Sequence, residues 1–176
     1  MIKSKESKKY VLTGGPFTGK TTVLDILRQR GYPVVPESAR IVIEEEQAKA
    51  SEVLPWKDLS RFQEQVVVKQ MQLELDASGE HVFLDRGLLD SYAYSKVGNV
   101  IAPIHAHHDA HLRYAKVFIL ELLPKYIPDE IRKETLEYRA LIHRALGDAY
   151  QEFGYVPIVV PVLPPAGRVE FILRHI

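Results

Sequence analysis

Gly14, Gly15, Pro16, Phe17, Thr18, Gly19, Lys20 and Thr21 fit the pattern G-x-x-x-x-G-K-[ST] at every fixed position. Tyr10-Val-Leu-Thr13 is β-prone up to the first glycine, and beyond Lys20 the residues Val23, Leu24, Ile26 and Leu27 mark one face of a helix. A glycine-rich turn between strand and helix lets successive N–H groups converge on phosphate oxygens with no side chains in the way. The helix adds its own unpaired N–H groups and the positive end of its dipole. Lys20 then supplies a point charge to the β and γ phosphates, Thr21 a hydroxyl ligand for Mg²⁺, and Thr22 continues the same first helical turn. The bland alternative, a glycine turn that merely caps a helix, must still account for the strand before it and the helix after it.

The rest of the chain repeats this alternation. Residues 32–36 read as a second short strand, with a helix over 38–49. Pro55 breaks the chain, and Ser60 with Gln63 suggests a capping box for a long helix to about Asp76. His81–Asp85, Lys116–Glu121 and Val156–Val160 read as further strands. Between the last two, Tyr138, Leu141, Ile142, Ala145, Leu146, Ala149 and Phe153 recur at helical steps until Gly154. Pro164-Pro165 precedes a short final helix with Val169, Ile172 and Leu173. Short strands, apolar on both faces and separated by helices, predict a parallel sheet covered on both sides. The expected fold is α/β: a three-layer phosphate-loop domain with a five-stranded parallel sheet, filling residues 10–176 behind a loosely ordered basic tail at 1–9.

Composition narrows the chemistry. The 176 residues contain no cysteine, which excludes a disulfide scaffold, a thiolate metal site and a cysteine nucleophile. Lys and Arg number 23, as do Asp and Glu, so no global field favours nucleic acid. No apolar run approaches the ~20 residues that cross a bilayer, and residues 1–9 have no apolar stretch behind their charges. The expectation is a cytoplasmic protein with neither nucleic-acid nor membrane partners, monomeric or homodimeric.

In open parallel sheets, ligands lie beyond the carboxyl ends of the strands. The second strand ends in Glu37-Ser-Ala-Arg40 and the third in Asp85-Arg86-Gly87, each placing a carboxylate and an arginine on the phosphate-loop edge. A carboxylate there can hold Mg²⁺ or take a proton from an attacking hydroxyl. An arginine can clamp an anionic substrate or the transferring phosphoryl group. The plainer readings are a helix N-terminal charge for Glu37 and local ion pairs for Arg40 and Arg86.

Three runs carry a resemblance: residues 11–22, Gly31-Tyr-Pro-Val-Val-Pro-Glu-Ser-Ala-Arg40 and Phe83-Leu-Asp-Arg-Gly-Leu-Leu-Asp90. They resemble the small phosphate-loop domains typified by the nicotinamide riboside kinase part of NadR, often labelled AAA-type ATPases though built like nucleoside and nucleotide kinases. The likeness continues through 138–155 and 168–173. It implies that Asp85 serves Mg²⁺ or the acceptor, that Glu37 and Arg40 face the second substrate, and that Arg132 lies on a mobile lid. Relatives tend to carry an aspartate-glycine pair before the lid arginine, whereas this chain has Pro128-Asp-Glu-Ile-Arg132-Lys133. An arginine there suits the charge of a phosphoryl-transfer transition state; a solvated turn before a helix is the alternative.

The leading expectation is a Mg·ATP-dependent small-molecule kinase acting on a hydroxylated, nucleoside-like metabolite. Lys20, Asp85, Glu37 and Arg132 are its candidate catalytic residues, residues 14–22 bind the nucleotide, Glu37, Arg40 and Arg86 bind the substrate, and Thr21 and Asp85 hold Mg²⁺. The alternative is a switch that hydrolyses ATP or GTP slowly and has no acceptor; a ring ATPase would need a lid domain for which the chain is short. No N-K-x-D run follows a strand, which favours ATP while leaving GTP open. His105, His107, His108, Asp109 and His111 could bind metal or substrate, or form an exposed polar segment. Trp56, Tyr92 and Tyr94 are aromatic candidates for either a pocket or ordinary packing.

Overall fold

The computed structural model describes residues 7–111, 113–124 and 135–176. Its elements in chain order are β1 (Lys8–Thr13), α1 (Lys20–Gln29), β2 (Val34–Val35), α2 (Ser38–Ala48), α3 (Leu59–Asp76) and β3 (His81–Asp85). There follow α4 (Leu88–Val97), α5 (Ile104–His108), β4 (Lys116–Leu120), α6 (Leu136–Glu152), β5 (Ile158–Val160) and α7 (Pro165–Leu173). The five strands pair in the order β2-β3-β1-β4-β5, all parallel.

Pleating sends alternate residues of the central strands to opposite faces. Tyr10, Leu12, Phe83, Phe118 and Leu120 pack with Val23, Leu24 and Leu27 of α1 and with Val169 and Ile172 of α7. Val11, Val82, Leu84 and Val117 pack on the other face with Val67 of α3, Leu88 and Leu89 of α4 and Tyr150 of α6. That double burial is why these strands read as unbroken apolar runs. Outside this second layer, α2 joins α3 through Val42, Phe62 and Val66, and α4 joins α6 through Ala93, Ile142 and Leu146.

Three expectations need correction. Lys8 and Lys9 belong to β1 and not to a loose tail: the Lys8 amide donates to the Glu80 carbonyl (3.0 Å), and the Lys9 carbonyl accepts from Ala115 (2.8 Å). The cap of α3 is Asp58, which accepts from the Arg61 amide (3.1 Å), so Ser60 and Gln63 form no capping box and Gln63 is free to turn inward. The second and fifth strands are shorter than expected, at two and three residues. α4 carried no sequence signal, because Leu88, Leu89, Asp90, Ser91, Ala93 and Ser95 are all buried and leave no polar face to contrast with an apolar one. Among the described residues no helix is long and apolar enough to cross a membrane.

Candidate active site

The turn after β1 is fitted between neighbouring elements as tightly as it is shaped for a ligand. A Cβ at Gly14 (φ 139°) would stand 2.8 Å from the Leu120 carbonyl, and one at Gly15 would stand 3.0 Å from the Arg139 carbonyl of α6. Phe17 (φ 59°) and Gly19 (φ 80°) both take left-handed backbone, curling the loop over the start of α1. Gly19 is the first residue outside the helix, and no side chain caps that end, so the helix N–H groups face the loop. Thr21 and Thr22 are exposed beside it.

Lys20 is buried under the loop, where its ammonium donates to the carbonyls of Gly14 (3.1 Å) and Gly15 (3.4 Å) and to Thr18 Oγ1 (3.4 Å). Burial, reinforced by the Arg86 charge, lowers its pKa to about 8, while Asp85, Glu37 and Asp90 act in the opposite direction. α6 and α7 brace the loop from outside. Arg139 donates to the Pro16 carbonyl (3.3 Å) with its guanidinium 5.3 Å from the Phe17 ring centre, and the Gly15 amide donates to His143 Nδ1 (3.2 Å). Arg168 of α7 donates to the Thr18 carbonyl.

The acids after β2 and β3 converge here, in different states. The Glu37 carboxylate, at the N-terminus of α2, accepts from Arg86 Nε (2.8 Å). Burial pushes its pKa up, but the charges of Arg86 and Lys20 outweigh that and hold it below the ordinary value. Asp85 is buried at the end of β3, and among the described residues its Oδ1 has no hydrogen-bond partner. Burial first, then the Glu37 charge, raises its pKa to about 6. An orphaned carboxylate oxygen at the end of the strand beside the phosphate loop, and a threonine hydroxyl in the first turn of α1, are hard-oxygen donors of the kind Mg²⁺ takes, usually completed by waters and phosphate oxygens. Asp85 and Thr21 fit that ion.

Arg86 does not pair with its neighbour Asp85. It bridges Glu37 of the second strand's exit and Asp90 Oδ1 (3.0 Å) of α4, reaches the Gly14 carbonyl (3.4 Å), and lies over the Tyr94 ring (5.5 Å). Burial works against its charge, yet Tyr94, Glu37 and Asp90 raise its pKa well above the ordinary value. Asp90, which the sequence did not single out, is the hub: its oxygens also accept from Thr13 Oγ1 (2.7 Å), the Gly87 amide (3.1 Å) and the Tyr150 hydroxyl (2.7 Å). Its signal was the four-residue spacing from Arg86, one helical turn.

Two cavities open from this centre. One, of about 580 Å³, lies over residues 16–22 and is bounded by Arg40 and Leu123. The other, of about 380 Å³, runs between α2, α3 and α4 and is lined by Ile43, Leu59, Phe62, Gln63, Val66 and Tyr138 among others. Glu37, Arg86 and Tyr94 line both. Gln63, Phe62 and Tyr138 were missed as site residues, because nothing local in the sequence shows α3 and α6 meeting at this cavity.

The remaining candidates divide. Arg40 stands exposed at the rim and pairs with Glu44 (3.2 Å). Arg132 lies outside the described residues. Trp56 is 62% exposed and lines neither cavity. Tyr92 faces away, donating to Glu152 (2.8 Å) and packing edge-on against Phe153. His105 and His108 both meet Asp109 (2.6 and 3.2 Å), while His107 stacks on Phe153. Among the described residues no group of three or more His, Asp or Glu is placed to hold a metal ion.

A parallel sheet, a glycine loop leading into a helix, a lysine buried at that helix's start and an acid on the neighbouring strand define a phosphate-loop nucleotide-binding domain. A family model described as an AAA domain (AAA_28) matches residues 9–169, and the chain belongs to that family. Among solved structures it resembles deoxyadenosine kinase from M. mycoides, determined with the products dCMP and a flexible dCDP: TM-score 0.61 and 17% identity, over 95% of this chain and 97% of that one. It also resembles the NadR protein in complex with NR: TM-score 0.65 and 23% identity, over 88% of this chain and 45% of that one. At these identities the likeness establishes a nucleoside-kinase-like fold. The chain spans less than half the length of that NadR protein. No curated protein matches the sequence.

Proposed function

We propose that this protein is a phosphotransferase that moves the γ-phosphoryl group of Mg·ATP to a hydroxyl of a small, nucleoside-like acceptor that bears no phosphate of its own. The observation that carries this reading is the second cavity, which meets the phosphate-loop mouth at Glu37, Arg86 and Tyr94. A slow hydrolytic switch has no use for such a cavity.

Its walls suggest the acceptor. Apolar side chains, with Phe62 among them, suit a flat ring, and Gln63 offers both a donor and an acceptor to a polar ring edge. Among the described residues the only cation lining it is Arg86, already engaged by two carboxylates, so an acceptor bearing its own phosphate finds no free positive charge there. The two solved neighbours, a deoxyadenosine kinase and NadR bound to NR, support a nucleoside-like molecule.

In this reading the carboxylates have different roles. Glu37 lines both cavities and is ionised, so it accepts the hydroxyl proton as the acceptor oxygen attacks the γ-phosphorus. The bond from that phosphorus to the β–γ bridging oxygen breaks, and ADP leaves. Such a transition state is loose and asks little basicity of the acceptor of the proton. Lys20 moves from the loop carbonyls to the phosphates, and Arg86 faces the equatorial oxygens of the transferring group. Asp85 and Thr21 would hold Mg²⁺, which neutralises charge on the β and γ oxygens. Arg40 bounds the mouth, and Arg132 is proposed as a closing charge.

The test follows the γ-phosphate of ATP with and without a metabolite extract, with Lys20→Ala as control. A new phosphorylated compound supports the reading, and its mass identifies the acceptor. Release as inorganic phosphate alone, unaffected by the extract, overturns it in favour of the switch.

A further inference from the structure

Glu74 is a carboxylate with no solvent exposure that lines neither cavity. Its Oε2 accepts from Arg113 Nε (2.6 Å) and lies 3.8 Å from the Lys9 ammonium. Its Oε1 accepts from Gln70 Nε2 (2.9 Å) and from the Tyr114 hydroxyl (3.0 Å). A buried, ion-paired carboxylate is weak evidence of stabilisation, since apolar replacements do as well or better. Both Oε1 donors reach further. Gln70 Nε2 also donates to the Arg86 carbonyl (3.2 Å), and Tyr114 Oη accepts from the Leu88 amide (2.8 Å).

These contacts close on the turn that carries Arg86. Arg86 has φ 72°, backbone that side-chain-bearing residues rarely adopt and that persists only when its surroundings impose it. Five backbone groups of the turn are tied, one of them the Gly87 carbonyl, which accepts from the Asp90 amide (3.1 Å). The Arg86 amide donates to the Leu12 carbonyl (3.0 Å) and the Gly87 amide to Asp90 (3.1 Å). The other two ties, at the Arg86 carbonyl and the Leu88 amide, run through Gln70 and Tyr114 to Glu74. The turn is also gripped sterically: a Cβ at Gly87 would stand 3.0 Å from the Tyr114 hydroxyl and 2.7 Å from that of Tyr150. Gln70 Oε1, meanwhile, is buried without a partner among the described residues, so the orientation of this amide is set by the two bonds its NH₂ makes, to Glu74 and to Arg86.

We propose that Glu74, acting through Gln70 and Tyr114, is a positioning residue for Arg86: it fixes the backbone from which the guanidinium reaches over the phosphate-loop mouth. Burial and the Glu74 charge hold the Tyr114 phenol far above its ordinary pKa, so it remains a hydrogen-bond donor across the working pH range. The catalytic consequence rests on the kinase reading; the structural one does not.

Gln70→Met preserves volume and removes both bonds, and Tyr114→Phe removes one hydroxyl; Glu74→Gln is the more drastic companion. Two measurements on the full chain separate the outcomes. Amide hydrogen exchange across 86–88 should quicken at least ~10-fold in Gln70→Met and Tyr114→Phe while exchange in β1 stays unchanged. Single-turnover phosphoryl transfer should slow about 10-fold with the Mg·ATP dissociation constant unaltered, and Gln70→Met should add nothing to the loss already caused by Arg86→Lys. Unchanged exchange at 86–88, or full additivity with Arg86→Lys, overturns the proposal. Should the parent protein transfer no phosphoryl group to any acceptor, the kinase reading fails, and exchange at 86–88 alone decides whether Glu74 holds the turn.

Discussion

The phosphate-loop mouth and the second cavity share three side chains, yet they are made differently. The mouth is mostly backbone: left-handed residues at 17 and 19, uncapped N–H groups of α1, and one buried lysine. The cavity is mostly side chain, contributed chiefly by α2, α3, α4 and α6. A backbone site recognises what all nucleoside triphosphates share, whereas a side-chain site can be altered one position at a time. The same division separates Asp85, with an oxygen left open, from Asp90, with every oxygen engaged. An unsatisfied carboxylate can still take a ligand, whereas a satisfied one holds the frame.

The sharpest break between the regions comes from Lys20→Ala. Turnover should fall by ~10³-fold or more, with weakened Mg·ATP binding by calorimetry and no change in acceptor binding. Next are the two acids at the strand ends. Glu37→Gln should slow transfer by ~10²-fold with Mg·ATP affinity intact, whereas Asp85→Asn should lose the Mg²⁺ dependence of binding; equal effects on both measurements would erase the division of roles. Gln63→Leu belongs wholly to the cavity. It should lower kcat/KM for the acceptor by ~10–100-fold while leaving the KM for ATP within two-fold, read from initial rates.

The smallest effects concern stability. Asp90→Asn should destabilise the fold by about 2–4 kcal/mol in urea denaturation, because an amide presents donors to donors. Asp85→Asn should do the reverse. The raised pKa means that folding favours the protonated acid, so its contribution is fully present below the unfolded value near 3.8 and is lost as pH rises through about 6. The substitution should therefore stabilise the ligand-free protein by about 1–3 kcal/mol at pH 7.5, with the gain vanishing as pH falls from 6 to 4. A gain that persists at pH 4 would show that Asp85 is not strained by its charge.

What could be read without coordinates follows the same line. The strand–loop–helix at 10–29 and the acid-arginine pair at 85–86 are contiguous in sequence, and β3 was placed at its observed ends because an apolar run stops at a charge. Asp90, Gln63, Phe62 and Tyr138 are distant in sequence and meet only because α3, α4 and α6 pack over one end of the sheet. α4 was invisible for the physical reason that both its polar and its apolar residues are buried. Gln63 was assigned to a helix cap that Asp58 supplies, which hid its inward turn. Arg86 was expected to pair locally or clamp substrate; its left-handed backbone and its bridge between Glu37 and Asp90 are consequences of tertiary packing.

The claim that these two regions are halves of one reaction site is tested most directly by filling one of them. Ala39, at the start of α2, lines the acceptor cavity and not the mouth. In Ala39→Phe, γ-phosphoryl transfer from ATP to the metabolite extract should be lost, while Mg·ATP binding measured on the same preparation stays within two-fold of the parent. Transfer at the parent's rate, with the cavity filled, would contradict the account.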